Sequence, residues 1–220
     1  MSQKLVALGR ITAGVAHEVN NPLAGLLNCI DTLRNHPDNP KLIDRYLPVI
    51  DQGLHRIKDI VQNLLVGLKV EEGEEIVELD HIDKLYYLMK AEIGDRAITI
   101  DWKNELGPEV PVSAKLEQIV CNLLKNSIEA LGEQGLIYVR IYTEGEYLTV
   151  QIKDNGPGIP INLRNQLFDP FFTTKSNGTG LGLWVVYRQT QSLKGIIEFE
   201  SDETGTSFYV TVPVVTRKVA

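Results

Sequence analysis

The chain has 220 residues, enough for one large domain or two small ones and for a core that needs no disulfide or metal staple. Lys and Arg total 22 against 29 Asp and Glu, a net charge of −7, which argues against a nucleic-acid footprint, since that normally needs a basic face. No apolar run reaches the ~18 residues of a membrane span, the N-terminal MSQKLVALGR lacks the plan of a signal peptide, and Cys29 and Cys121 have no CxxC partner, which fits a reducing, cytoplasmic setting without zinc.

Two helical patterns come first. Leu5, Leu8, Ile11, Val15, Val19, Pro22, Leu26, Ile30 and Leu33 form a loose stripe. After the turn NHPDNP, where Asn39 can cap and Pro40 can open a helix, Ile43, Leu47, Ile50, Leu54, Ile57, Val61, Leu64 and Leu68 alternate spacings of four and three. This is a heptad seam of about three and a half repeats. A two-helix hairpin covers such stripes poorly, whereas pairing with a second copy makes a four-helix bundle. Residues 1–70 therefore read as a dimerisation hairpin of a homodimer; packing of the seam on the rest of the same chain is the alternative.

A polar break, KVEEGEE at 69–75, changes the pattern. EEIVEL reads as a strand, HIDKLYYLMKAEI as a helix and AITIDW as a strand. SAKLEQIVCNLLKNSIEAL reads as a long helix with Ser113 as N-cap. GLIYVRIY and EYLTVQIK form a hairpin around Glu144 and Gly145; LGLWVVYRQTQSL is a helix, and GIIEFES and TSFYVTV are closing strands. The fold class is α+β: a helical hairpin, then a helix layer on a mixed, mostly antiparallel sheet over 74–217.

Of the four histidines, His36 falls in the turn, His55 on a helix flank and His81 at a helix start, and none of these suggests chemistry. His17 is different. At about 100° per residue the stripe from Leu8 to Leu26 occupies one arc, and His17 lies nearly opposite it, in solvent. Glu18 is adjacent, Asn21 is one turn on, and Ala13 and Gly14 leave the imidazole uncrowded. A carboxylate can hold one ring nitrogen protonated so that the other attacks. The string HEVNNPLAGL resembles the phospho-acceptor box of sensor histidine kinases, in the subclass His-Glu-x-x-Asn-Pro.

Three further strings are each weak alone. In NLLKNSIEA, Asn122 and Asn126 share a helix face at i, i+4, where two amide oxygens can supply hard ligands to Mg²⁺. DNGPGI places Asp154 at a strand end, able to accept from an exocyclic amine such as adenine N6, while Gly156 and Gly158 let a ring approach the backbone. GTGLGL, with Gly178, Thr179, Gly180, Leu181 and Gly182, opens a helix whose free N–H groups favour phosphate; it is neither a P-loop nor a dinucleotide fingerprint. Between the last two lie about 18 residues with little regular structure, including LFDPFFTTKSN, where Phe168, Phe171 and Phe172 anchor a polar segment carrying Lys175; this reads as a lid.

In this order the strings resemble the N, G1, F and G2 boxes of the ATP-binding domain shared by histidine kinases, gyrase, mismatch-repair clamps and a large heat-shock chaperone. With the histidine box the resemblance spans nearly the whole chain and is nearest to nitrogen-regulation-type sensor kinases. It implies a Bergerat-type ATP-binding fold, ATP and Mg²⁺ as cofactors, and a response-regulator receiver domain as partner. It also implies roles: Asn126 on Mg²⁺ with Asn122 assisting, Asp154 on adenine N6, Gly156 and Gly158 shaping the adenine pocket, and Thr206 behind it. Lys175 would meet the γ-phosphate, with Gly180 and Gly182 as the lid hinge.

His17 would be the nucleophile, Glu18 its base, and Asn21 tied to the reverse, phosphatase reaction. Asn21 does not stand between His17 and Glu18, so it is expected to matter little for phosphorylation. Asn122 stands where the hydrolysing members have a glutamate, and an amide cannot serve as that base. Only 16 residues precede His17, too few for a sensory domain, so the chain reads as the cytoplasmic piece of a longer sensor or as a kinase lacking its own. The rival class is an ATP-gated clamp without chemistry.

Overall fold

The computed structural model describes residues 2–68, 76–77, 79–108, 110–175 and 178–214, with side chains described within 14–65, 76–77, 80–108, 110–175 and 178–214. The expected break at 69–75, much of the strand expected over 74–79, and the stripe's Leu5, Leu8, Ile11 and Leu68 side chains lie outside those residues. By contacts the chain divides into two compact units, 1–68 with 170–181, and 69–169 with 182–220.

The first unit is built on α1 (Ser2–Asn35) and α2 (Pro40–Leu68). Their turn closes as its composition predicts: Asn39 N–H donates to the His36 carbonyl at 3.2 Å, and Leu42 N–H to the Asn39 carbonyl at 3.1 Å. Pro40, which has no N–H to lose, opens α2. Inside the hairpin, Leu26, Cys29 and Ile60 are buried. The heptad seam is only partly covered. Ile43, Leu47, Leu54 and Val61 are 47, 59, 55 and 41% exposed, while Ile50, Ile57 and Leu64 of the same run are half-buried. Among the described residues no helix is long and apolar enough to cross a membrane.

In the second unit a five-stranded sheet has the order β2-β4-β5-β7-β6, from β2 (Ala97–Asn104), β4 (Gln134–Glu144), β5 (Tyr147–Asp154), β6 (Ile196–Asp202) and β7 (Gly205–Pro213). Only β2 and β4 run parallel; the remaining pairs are antiparallel. A separate two-residue pairing joins β1 (Ile76–Val77) to β3 (Val112–Ser113), so the described part of the strand expected over 74–79 lies outside the main sheet. β3 carried no periodic signal.

Three helices, α3 (Leu79–Ile93), α4 (Ala114–Leu131) and α5 (Gly182–Ser192), supply the layer. α4 turns Leu116, Ile119, Val120, Leu123, Leu124 and Ile128 onto the alternating Ile137, Val139 and Ile141 of β4 and Leu148, Val150 and Ile152 of β5. Ser113 caps α4 as expected, its side chain accepting from the Lys115 N–H. The stretch read as irregular is partly regular, because Ile161–Gln166 form a 3-10 helix. Runs this short leave no periodicity to read.

Candidate active site

On α1 the imidazole of His17 stands 74% exposed, as its angular position requires. Its Nδ1 lies 3.3 Å from Asn21 Nδ2 and 3.9 Å from Glu18 Oε1. Only the first is within hydrogen-bond reach. Asn21 lies on the same face as expected and touches the ring, because side chains four apart on a helix meet. Glu18 points its other oxygen to α2, where Arg56 Nη2 donates at 3.3 Å. Nothing in the heptad pattern singles out Arg56; its contact with Glu18 exists only once the helices pair.

Seven of the expected nucleotide residues, Asn122, Asn126, Asp154, Gly156, Gly158, Gly182 and Thr206, lie around α4, the end of β5 and the start of α5. Asp154 is 5% exposed, and both oxygens of its carboxylate accept hydrogen bonds. Oδ1 accepts from the backbone N–H of Gly156 at 3.0 Å and of Thr206 at 3.3 Å, and Oδ2 accepts from the Ser127 hydroxyl at 3.0 Å. Thr206 faces Asp154 directly across the β5–β7 register. Ser127 was not foreseen: it follows Asn126 by one residue, and only the crossing of α4 over β5 aims it at Asp154.

Gly158 has φ +73, and a Cβ there would collide with the Asp202 carbonyl, so the loop needs glycine at this point. Ser201 and Arg164 pin the same loop, the Ser201 hydroxyl accepting from Ile159 N–H at 2.7 Å and Arg164 Nη2 donating to the Ser201 carbonyl at 2.5 Å. Nearby, hydrogen bonds from Thr204 hold the Asp202 carboxyl below its ordinary value.

Asn122 and Asn126 both present a buried Nδ2 with no hydrogen-bond partner among the described residues. A Cβ at Gly182 would sit 3.8 Å from Asn126 Oδ1 and 3.9 Å from Asn122 Oδ1, so both amides meet the glycine that opens α5. Buried amide groups left unpaired are costly, and here they border a helix start whose free N–H groups favour an anion. The unpaired N–H groups fit a phosphate, and the Oδ1 atoms of the same amides can serve a hard cation.

The remaining residues, Lys175, Gly178, Thr179, Gly180 and Leu181, belong by contacts to the other unit. Within 170–181 the loop closes on itself through Phe171 N–H and the Gly180 carbonyl at 3.0 Å. Gly180 has φ +64, and a Cβ would enter the Phe171 backbone. Of the expected anchors, Phe168 packs between Tyr187 and Phe199 with ring centroids 5.7 and 6.2 Å away.

Residues 112–216 match the family described as histidine kinase-, DNA gyrase B- and HSP90-like ATPases, and residues 7–73 match the His Kinase A (phospho-acceptor) domain. The chain belongs to the histidine kinases. It is 32% identical to sporulation kinase E of Bacillus subtilis, over 97% of this chain and 29% of that protein. It is equally identical, 32%, to the sensory histidine kinase/phosphatase NtrB of Escherichia coli O157:H7, over 95% and 63%. Two structures of histidine kinase ThkA are similar at 30% identity. Its catalytic domain aligns with TM-score 0.58 over 65% of this chain and 97% of that one. ThkA in complex with the response regulator TrrA aligns with TM-score 0.78 over 99% and 65%. This histidine kinase chain spans 29% to 63% of the length of the first curated relatives it matches.

Proposed function

We propose that the chain is an ATP-dependent protein histidine kinase core, with a phospho-acceptor hairpin over 1–70 and an ATP-binding domain over 74–217. His17 takes the γ-phosphoryl group of ATP and then passes it to an aspartate of a response-regulator receiver domain. The observation that carries this is the exposed His17 imidazole with a carboxylate and an amide beside one ring nitrogen. The buried, partnerless amides of Asn122 and Asn126 support the nucleotide half of the reading.

Asn126 would hold Mg²⁺, with Asn122 beside the phosphates. Asp154 would accept from adenine, with Gly156 and Gly158 along the ring and Thr206 behind. Lys175, Gly178, Thr179, Gly180, Leu181 and Gly182 would meet the phosphate side. When bound, Mg·ATP supplies the phosphoryl group, its charge partly neutralised by the cation. His17 Nε2, which has no partner among the described residues, is the attacking nitrogen, and Glu18 takes the proton that Nδ1 gives up. ThkA's solved complex with a response regulator supports the receiver partner, and NtrB's dual name supports a phosphatase role, with Asn21 orienting the water. The exposed seam Ile43, Leu47, Leu54 and Val61 supports a homodimer.

Incubation with Mg·ATP should place acid-labile, base-stable phosphate on His17. Phosphate on His36, His55 or His81 alone, or none on any histidine, would overturn the assignment.

A further inference from the structure

Attack by Nε2 requires the ring proton to sit on Nδ1, so that Nε2 keeps its lone pair. That tautomer is favoured by an acceptor at Nδ1. The carboxylate of Glu18 is the strongest acceptor nearby, yet its Oε1 stands 3.9 Å from Nδ1, beyond hydrogen-bond range. Its Oε2 is held instead by Arg56 Nη2 at 3.3 Å, in a pair whose side chains are only 26 and 20% exposed. The atom facing Nδ1 at 3.3 Å is the amide nitrogen of Asn21, a donor, which suits the opposite tautomer.

Arg56 also has a buried Nε with no partner among the described residues. A guanidinium can bind a carboxylate through two parallel N–H groups, so Arg56 can draw Glu18 further from His17 by engaging the second.

We propose that Arg56 of α2 is a positioning residue that competes with His17 for Glu18, so that the pairing of Glu18 sets the tautomer, and hence the nucleophilicity, of the phospho-acceptor. This rests on the kinase reading above for its consequence, though not for its geometry. With Glu18 on Arg56, Nδ1 lacks its carboxylate acceptor and the histidine rests. With Glu18 on Nδ1–H, the carboxylate holds the proton there, Nε2 presents its lone pair, and Arg56 gives up its carboxylate partner. Any shift between α1 and α2 that lengthens the Arg56–Glu18 contact would then release the base. The hairpin itself becomes the control element.

The test is the ring-nitrogen ¹⁵N pattern of His17 in the full chain without nucleotide, read in the parent, Arg56→Gln, Glu18→Gln and the double variant. Arg56→Gln should raise the Nδ1–H population and speed autophosphorylation several-fold, with KM for ATP unchanged. Neither change should occur when Glu18 is already Gln. Circular dichroism checks the hairpin; if the Gln variant melts, Arg56→Lys, which keeps the charge and loses the planar fork, should move the ring pattern in the same direction by less. An unchanged ring pattern in a folded variant, or slower phosphorylation in the folded Gln variant, would overturn the proposal. Absence of phosphate on His17 in the parent would instead overturn the kinase reading, and the nucleotide-free ¹⁵N result would still decide the role of Arg56.

Discussion

Asp154 holds its place by three donors, two from backbone and one from Ser127, in a position almost closed to solvent. A carboxylate so fixed is a rigid acceptor, and its charge is what an amine of adenine would meet. Asp154→Asn should therefore weaken ATP binding by about 1.5–3 kcal/mol, the worth of a charge-assisted bond, or roughly ten- to a hundredfold in affinity. Calorimetry measures this directly, with circular dichroism showing that the sheet persists. Equal affinity in parent and variant would remove Asp154 from the adenine site. The position of Asp154 at a strand end was legible in DNGPGI. Ser127 was not, because its hydroxyl reaches Asp154 only through a helix–sheet crossing. Asn21 is the opposite case, since its contact with Nδ1 follows from the four-residue spacing within one helix.

The elements divide by whether their signal is periodic. α4 repeats apolar residues at three and four, ends its N-terminus on Ser113, and was legible throughout. α2 carries two faces that one pattern could not separate. Ile60, outside the heptad run, is fully buried, whereas Leu54, within it, is 55% exposed. Under the homodimer proposed above, that outer face meets its copy. Leu54→Lys would leave a cation buried without a partner there, so the dimer should loosen by about tenfold or more, about 1.4 kcal/mol. Sedimentation across a concentration series checks it; a monomeric parent at micromolar concentration would contradict the bundle. The 3-10 helix Ile161–Gln166 and the two-residue β3 had no such signal, being shorter than a period can reveal.

At the scale of the molecule, the acceptor histidine and the residues around Asp154 belong to different compact units. Binding and chemistry should therefore separate. His17→Ala should abolish phosphorylation while leaving ATP affinity within a few-fold of the parent by calorimetry. A loss of about tenfold or more, about 1.4 kcal/mol, would mean that the imidazole itself holds nucleotide.

What the sequence by itself determined is whatever depends on local period and residue chemistry. It set the exposure of His17, the hairpin, the long capped helix, the hairpin strands and the order of the nucleotide strings. Each of these follows from directions that a residue takes relative to its own helix or strand. The parallel pairing of β2 with β4, the locking of Asp154 by Ser127 and Thr206, and the meeting of Asn122 and Asn126 with Gly182 were decided by tertiary structure. So was the hold of Arg56 on Glu18, which lies 38 residues away in sequence. These contacts join elements whose relative placement is set by burying a shared apolar face, and no spacing within one element encodes where another will cross it.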